Sequence, residues 1–315
     1  MELEKVVDEG IHSDYDICRL IEYYRDIHGF MAGHLYRAIE ILTQTLEKSR
    51  LRVLSFTGNL VATGLRGVLA QLVGSGLFDI VITTTGAVDH DIAKGSGGVY
   101  YKGFFESDDV DLYRKGYHRL GNIYIPLDSY GPVIEDFVRR LLDEAYSRGM
   151  KGRVGVSDLL NVSGSMINDN NSILRRAWER GVQVFLPGWP DGAFGTTLFT
   201  ELQTRSYNLT VDYMVDMKKL AEFFFTRKGE STALIIGGGI SKHHTIWWAQ
   251  FRGGYDYAVY ITTAVEYDGS LSGAHPREAI TWGKLKTGSK SVVVYADATL
   301  VLPIITAGVL NKCIK

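Results

Sequence analysis

The chain has 315 residues, of which 45% are hydrophobic and 22% are charged, and 34 basic residues oppose 36 acidic ones. This length fits two domains or one large one, and the apolar content excludes a disordered chain. The net charge of -2 excludes a nucleic-acid-binding protein that works through a basic excess. The longest apolar stretch, residues 300–310, is far short of the roughly 18 residues of a membrane span, so we expect no membrane partner.

Two further features favour a cytoplasmic protein. The first five residues, Met1 to Lys5, are too charged for a signal peptide. The cysteines Cys18 and Cys313 lie near opposite ends of the chain, which predicts neither a disulfide framework nor a metal cluster. A reducing compartment and an absence of bound metal follow as expectations.

Short β-branched runs alternate along the chain with amphipathic stretches. The predicted strands are residues 51–56, 78–84, 182–186, 232–236, 257–262 and 291–296. The predicted helices are residues 64–73, 132–147, 172–180, 211–227, 243–251 and 299–311. Near-continuous apolar strands between helices are typical of an α/β fold, with a mostly parallel, doubly wound sheet that carries helices on both faces.

The sequence shows no Pro- or Ser-rich linker and no internal repeat. We therefore predict one large catalytic domain at residues 51–315, preceded by a helical N-terminal extension at residues 1–50. In that extension Ile17, Leu20 and Ile21 follow a helical apolar spacing.

Glycines and small polar residues follow the predicted strands. In open α/β sheets the ligand lies beyond the carboxyl ends of the strands. The segments at these ends are Thr57-Gly58-Asn59, Thr83-Thr84-Thr85-Gly86, residues 187–192, Gly237-Gly238-Gly239, Thr263-Ala264 and Asp297-Ala298. Packing alone does not explain six such ends, so they predict a ligand-binding edge.

The glycine run at 237–239 leads into a helix, and bare backbone N–H groups at a helix start suit a phosphate. Lys242 stands where the dinucleotide fingerprint has its third glycine, so a simple tight turn is the alternative. Asp191 and Asp297 could accept ribose hydroxyls. Each could equally cap the helix that follows it.

Two segments carry residues suited to amine chemistry. His243, the first of a histidine pair, follows the glycine turn; an imidazole near a helix start has a lowered pKa and suits a general base. A capping or buried histidine is the alternative. Lys284 comes two residues after Trp282, and a lysine packed on an indole loses hydration and can act as an imine-forming nucleophile. The alternative is an ordinary solvated lysine.

The segment before Lys284 is acidic and aromatic. Glu266, Asp268 and Glu278, with Tyr267 and Trp282, could hold a polyamine through charge and cation–π contacts. A solvated acidic loop is the alternative reading.

From about residue 50 onward, these segments resemble those of the deoxyhypusine synthases, and several of their sequences are similar to those of the archaeal type. The segments that carry the resemblance are Thr57-Gly58-Asn59-Leu60, Thr83-Thr84-Thr85-Gly86, Arg119-Leu120-Gly121-Asn122, the run from Gly237 to His244, the run from Asp256 to Ile261, the run from Asp268 to Ala274, Thr281-Trp282-Gly283-Lys284 and Tyr295-Ala296-Asp297-Ala298.

The resemblance implies a Rossmann-like enzyme that uses NAD to oxidise spermidine and holds the aminobutyl group as an imine on a lysine. It then implies transfer of that group to one lysine of the precursor of translation initiation factor 5A, forming deoxyhypusine. A homotetramer built as a dimer of dimers is also implied, with no nucleic acid and no membrane as partner.

The resemblance also implies the role of each matching residue. Lys284 matches the imine-forming lysine, and His243 matches the base that assists spermidine oxidation. The implied NAD contacts are Thr57, Gly58, Asn59, Thr84, Thr85, Gly86, Asp191, Gly238, Thr263, Asp297 and Ala298. The implied polyamine contacts are Asp89, His90, Asp268, Gly269, Ser270, Glu278 and Trp282.

The chain departs from the family pattern where many members carry acids. Thr196 and Leu271 stand at two such positions, and Asp89-His90 stands where a Glu-Glu pair is common. A site with fewer carboxylates is compatible with a different polyamine. Homospermidine synthase, which transfers the aminobutyl group to putrescine, is therefore one alternative. A non-catalytic NAD-binding module is another, although it would not need Lys284 and His243.

Overall fold

The computed structural model describes residues 4–314, and the chain divides into two compact units. The residues up to Ser55 and those from Phe223 onward form one unit, here called the terminal unit. Phe56–Glu222 form the other, the central unit. The division into an extension at 1–50 and a catalytic domain at 51–315 stays a prediction.

Helices and strands alternate through most of the chain, with three short 3-10 turns at Leu127–Ser129, Gln250–Arg252 and Glu266–Asp268. The helices are α1 (Ile17–Ile27), α2 (Met31–Thr45), α3 (Asn59–Ala62), α4 (Leu65–Gly74), α5 (Thr85–Gly95), α6 (Asp109–Arg114), α7 (Gly131–Ser147), α8 (Val156–Met166), α9 (Ile173–Arg180), α10 (Ala193–Thr204), α11 (Tyr213–Thr226), α12 (Gly239–Ala249), α13 (Pro276–Thr281) and α14 (Ala298–Leu310). The strands are β1 (Leu51–Phe56), β2 (Ile80–Thr83), β3 (Tyr101–Lys102), β4 (Tyr117–Leu120), β5 (Ile123–Pro126), β6 (Gly152–Val154), β7 (Gln183–Phe185), β8 (Leu209–Val211), β9 (Ser231–Ile236), β10 (Tyr255–Thr262) and β11 (Leu285–Tyr295).

In the terminal unit the strands lie in the order β11-β10-β9-β1. β10 pairs in parallel with β9 on one side and with β11 on the other, with Ala258 opposite Ala233 and Ser291. Every residue of β9 is buried, as expected for a strand covered on both faces. The predicted α/β fold with a mostly parallel sheet is confirmed.

The N-terminal helices belong to the core of this unit. α2 packs against β10 and β11, and α1 and α14 pack on α2 and on each other. A Cβ at Gly308 would lie 2.7 Å from Ile21 Cδ1 and 2.8 Å from Ile39 Cγ2. This glycine therefore permits the close approach of α14 to the first two helices.

The two cysteines correct the expectation of unpaired thiols. Cys18 in α1 and Cys313 beyond α14 form a disulfide across a sequence separation of 295 residues. Their distance along the chain argued against pairing, but the packing of α1 against α14 brings the two sulfur atoms together.

In the central unit β2 and β7 pair in parallel, and so do β6 and β8. A small antiparallel sheet, β3-β5-β4, is also present and was not predicted. Helix α9 matches its predicted limits: the Ser172 side chain accepts from Arg175 N, and Gly181 ends the helix at φ 67°.

Helix α12 and strand β11 begin at least four residues earlier than predicted. α12 starts at Gly239, directly after the glycine turn, and β11 starts at Leu285 with a partly exposed polar run from Lys286 to Lys290. That run lacks the apolar pattern by which a buried strand is recognised. Within residues 4–314, no helix is both long enough and apolar enough to cross a membrane.

Candidate active site

The terminal unit contains a pocket of about 260 Å³, here called the lysine pocket. Its lining comes from α12, from β10, and from the segment between β10 and β11. The lining residues are Lys242, His243, Ile246, Trp247, Tyr260, Leu271, Ala274, His275, Glu278, Ala279, Trp282 and Lys284. Four of the predicted site residues, Lys284, His243, Glu278 and Trp282, therefore share one cavity.

Lys284 is held between α13 and β10. Its backbone N–H donates to Ala279 O at 2.9 Å, and its carbonyl accepts from Tyr255 N at 3.1 Å. The preceding Gly283 makes the connecting turn at φ 66°, a conformation that other residues adopt at a cost. The Lys284 side chain is only 7% exposed, and its Nζ lies 5.2 Å from the ring centre of Trp282 and 5.9 Å from that of Trp247.

The two histidines of the pair have different surroundings. His243 lines the lysine pocket and stacks on Trp247, with ring centres 5.7 Å apart. Burial lowers its pKa, and the positive charge of Lys284 lowers it further. This is the direction expected from the sequence, with burial as the larger cause and Lys284 as the second. His244 Nε2 accepts from Trp248 Nε1 at 3.0 Å, and burial lowers the pKa of His244 to about 4.

The three carboxylates before Lys284 do not act as a group. Glu266 forms a two-oxygen ion pair with Arg277. Asp268 accepts from the backbone N–H of Ser270 at 2.6 Å, and hydrogen bonds from Ser270 lower the pKa of this exposed carboxyl. Among the residues lining the pocket in the described part of the chain, Glu278 is the single carboxylate. The turn Asp268-Gly269-Ser270 is exposed and is not part of the lining.

Lys242 is one of the lining residues that were not predicted to belong to the site. Lys242 is 1% exposed, and its Nζ donates to Ala274 O at 2.8 Å and to Ser272 O at 3.3 Å. The same Nζ lies 4.5 Å from the ring centre of Tyr260. Burial lowers the pKa of Lys242 to about 8, although the charge of Glu278 opposes this shift. The sequence signal that could have identified Lys242 was its position directly before His243, because two adjacent residues at the start of a helix can both line one cavity.

Asp89 and His90 lie on α5 of the central unit. The carboxylate of Asp89 is 1% exposed and accepts from Ala193 N at 3.0 Å, from Phe194 N at 2.8 Å and from Tyr130 Oη at 3.0 Å. It therefore caps the start of α10. Burial raises the pKa of Asp89, and these hydrogen bonds oppose the shift.

The His90 ring is held by a hydrogen bond between Nδ1 and Tyr100 Oη at 2.8 Å. Burial lowers the pKa of His90 to about 4, helped by the nearby charge of Lys94. Nothing in these contacts tests the predicted polyamine contacts of Asp89 and His90.

Most of the expected NAD contacts lie at strand ends of the central unit. Thr57 Oγ1 donates to Asn59 Oδ1 at 2.6 Å, and Thr85 Oγ1 donates to Gly188 O at 2.9 Å. A Cβ at Gly58 would lie 2.7 Å from Ala87 N, so glycine is required where this loop meets the start of α5. The members of this set are Thr57, Gly58, Asn59, Thr84, Thr85, Gly86 and Asp191.

The remaining expected NAD contacts, Gly238, Thr263, Asp297 and Ala298, lie at strand ends of the terminal unit. A Cβ at Gly238 would lie 2.1 Å from Ser272 Oγ, so this position also requires glycine. The Asp297 side chain accepts from Thr299 N at 2.7 Å and caps α14, as one of the two sequence readings proposed.

These residues fit the chemistry of a dinucleotide. In both α5 and α12 the N-cap residue, Thr84 or Gly238, makes no side-chain bond to the first turn. In α12 the Gly239 N–H donates to Ser272 Oγ at 3.2 Å. The other N–H groups of a first turn suit a pyrophosphate. Asp191 and Asp297 are exposed carboxylates at strand ends, which suit ribose hydroxyls.

Comparison with known proteins connects this geometry to a family. The sequence model of the family described as "Deoxyhypusine synthase" matches residues 19–309. A protein of Aeropyrum pernix named "Probable deoxyhypusine synthase" is 61% identical over 312 residues, covering 99% of this chain and 100% of that protein. A protein of Ignicoccus hospitalis with the same name is 54% identical and covers 99% of this chain and 97% of its own length.

A solved structure shows the same fold. The crystal structure of an Entamoeba histolytica protein named for the same enzyme aligns with a TM-score of 0.67 and 22% sequence identity. The alignment covers 96% of this chain and 97% of that protein.

Proposed function

Because the chain belongs to the deoxyhypusine synthase family, we propose that this enzyme transfers the aminobutyl group of spermidine to one lysine of the precursor of translation initiation factor 5A, with NAD as cofactor. The observation that carries the proposal is the position of Lys284. A nearly buried amine lies in one pocket with His243, Glu278 and Trp282. Buried lysines among aromatic rings are suited to imine chemistry.

The chemistry that bound NAD supplies is reversible hydride acceptance, so the overall transfer has no net redox change. The chain's own groups that would hold it are the strand-end residues predicted from the sequence. First-turn N–H groups of α5 and α12 would bind phosphate oxygens, and Asp191 and Asp297 would accept hydrogen bonds from ribose hydroxyls.

His243 would take the proton that spermidine loses during its oxidation. A general base must be unprotonated at the working pH, and the lowered pKa of His243 keeps its imidazole neutral near pH 7. Its stacking on Trp247 fixes the ring plane, so the proton-accepting nitrogen has a defined direction in the pocket.

Lys284 would then take over the aminobutyl group. Its Nζ attacks the carbon of the oxidised amine, a C–N bond forms to Lys284, and the C–N bond to 1,3-diaminopropane breaks. The acceptor lysine displaces Lys284 by the same exchange. The bound cofactor would supply the hydride that reduces the new C=N bond to the stable amine of deoxyhypusine.

Glu278 would bind a positively charged nitrogen of spermidine, and Trp282 would cover its alkyl chain. Glu278 is exposed and lines the same pocket as Lys284. The polyamine contacts predicted for Asp89, His90, Asp268, Gly269 and Ser270 remain part of the proposal without support from these contacts.

We further propose a cytoplasmic homotetramer, since the acceptor is a translation factor and the pocket is rimmed by exposed rings. Trp247 is 40% exposed, Phe251 50% and Trp282 63%. Such rings are typical of surfaces covered by another chain. Light scattering on the purified protein measures the assembly directly.

Mass spectrometry tests the proposed reaction. The enzyme is incubated with NAD, spermidine and either the initiation factor 5A precursor or putrescine. We expect one aminobutyl addition on one lysine of the protein and release of 1,3-diaminopropane. An unmodified protein with homospermidine formed from putrescine would assign the alternative acceptor, and no product in either reaction would reject aminobutyl transfer.

A further inference from the structure

Two indole rings flank the reactive amine of the lysine pocket. The Nζ of Lys284 lies within 6 Å of the ring centres of both Trp247 and Trp282, the distance at which a cation is attracted to an aromatic face. The two rings come from different segments: Trp247 lies on α12, and Trp282 ends α13. Trp247 was not among the residues expected from the sequence.

The position of Trp247 is fixed by its neighbours. Its ring stacks on His243 with an angle of 23° between the planes, and Phe251 contacts it edge-on at 6.2 Å between ring centres. The ring lines the lysine pocket, so part of its surface faces a ligand in the cavity.

Negative charge is scarce in the same cavity. Within the described residues, Glu278 is the one carboxylate of the lining, while Glu266 is paired with Arg277. Leu271, rather than an acid, lines the pocket. A substrate amine that carries positive charge therefore meets mainly aromatic surface around Lys284.

We propose that the indoles of Trp247 and Trp282 together bind the substrate nitrogen next to the carbon that reacts at Lys284, and that this recognition does not require N–H donors on that nitrogen. The inference rests on the proposed function, since it concerns the amine of that reaction. When that carbon is within reacting distance of Nζ, about 3–3.5 Å, the nitrogen bonded to it lies close to both rings. An aromatic pair accepts secondary and N-alkylated ammonium groups that a carboxylate cage would disfavour.

Two probes with the same carbon chain separate these modes of recognition. Butylammonium donates N–H bonds, and butyltrimethylammonium cannot. Each competes with labelled spermidine for the enzyme in the presence of NADH, which cannot accept a hydride, so no turnover occurs. We expect both probes to displace spermidine with inhibition constants within about threefold of each other. Displacement by butylammonium alone would overturn the proposal.

Substitution at Trp247 assigns the effect to this ring. Trp247→Leu should weaken binding of both probes by about threefold to tenfold, and Trp247→Phe, which keeps an aromatic face, should weaken it less. Phe225→Leu is the matched control, because Phe225 is 46% exposed in the same unit but does not line the pocket. Equal affinities in wild type and Trp247→Leu would reject a role for Trp247.

The binding assay needs neither the acceptor protein nor turnover. If the acceptor stays unmodified while the probes behave as expected, the proposed function fails and the aromatic recognition stands. If the acceptor is modified but butyltrimethylammonium does not compete, the aromatic recognition fails and the proposed function stands. Trp247→Phe provides a folded variant should Trp247→Leu lose stability.

Discussion

At the scale of single residues, Lys284 separates the two halves of the proposed reaction. Oxidation of spermidine needs a hydride acceptor and a base, whereas capture of the aminobutyl group needs a nucleophile. Lys284→Ala should therefore still release 1,3-diaminopropane but form no borohydride-trapped adduct and little modified acceptor. Lys284→Arg should also fail at transfer, because a guanidinium does not deprotonate in proteins. A trapped adduct at another residue, with near-normal transfer, would place the imine elsewhere.

The pH dependence of the first oxidation reports on His243. The pKa of His243 lies below its ordinary value of 6.5, because of burial and then the charge of Lys284. The base is neutral above that lowered pKa, so the rate of diaminopropane formation should fall as the pH drops through it. Lys284→Ala removes the charge and should move this acid limb to higher pH, whereas Lys284→Arg should leave it in place.

Stopped-flow measurement of NADH formation between pH 4.5 and 8, a range spanning the ordinary histidine pKa, gives the profiles. His243→Ala supplies the reference, since loss of a general base should slow this step by about 10²–10⁴-fold and remove the limb. An acid limb that is identical in wild type and in Lys284→Ala would show that His243 is not the titrating group.

At the scale of elements, two carboxylates that the sequence assigned to ligand binding cap the starts of helices. Asp89 caps α10 with bonds from two backbone N–H groups, and Asp297 caps α14. Capping and ligand binding use the same carboxylate oxygens, so sequence spacing alone does not separate them. Gly58 and Gly238 likewise accommodate close backbone or side-chain neighbours.

Asp89 offers a direct test of these two roles. Asp89→Ala should lower the free energy of unfolding by about 2–4 kcal/mol, because one buried and two half-buried donors lose their acceptor. Asp89→Asn keeps one acceptor oxygen and should lose less. Urea unfolding measures the stability, and calorimetry measures spermidine binding. Unchanged stability with weakened spermidine binding would instead support the polyamine contact.

At the scale of the whole molecule, the disulfide links segments near the two ends of the chain. Cys18 and Cys313 close a loop of 295 residues in sequence separation. Long loops lose much entropy in the unfolded state when they are cross-linked, and native disulfides typically contribute about 2–4 kcal/mol.

Replacement of both cysteines by serine should lower the melting temperature by about 5–10 °C. Reduction of the wild type should produce the same decrease, and a reductant should have no effect on the double variant. Calorimetric scans with and without dithiothreitol make the comparison. Activity at 25 °C should persist, because neither cysteine lines the lysine pocket. Equal melting temperatures throughout would show that the bond contributes nothing.

The sequence by itself determined strands of the parallel sheet and predicted Lys284 as the reactive amine. Apolar runs such as 51–56 and 232–236 predicted β1 and β9 to within a residue, because strands buried on both faces must be apolar throughout. Lys284 and His243 were predicted because a glycine turn, a histidine pair and an adjacent tryptophan are local patterns. Their roles remain predictions.

Only the tertiary structure decided which side chains meet. It brought Lys242 and Trp247 into the lysine pocket, paired Glu266 with Arg277, and joined Cys18 to Cys313. It also showed that Glu278 lines the pocket while Asp268 caps its own turn. A residue's type and spacing fix its local conformation and the bonds it can make. Which partner it finds depends on packing between segments that lie far apart in the chain.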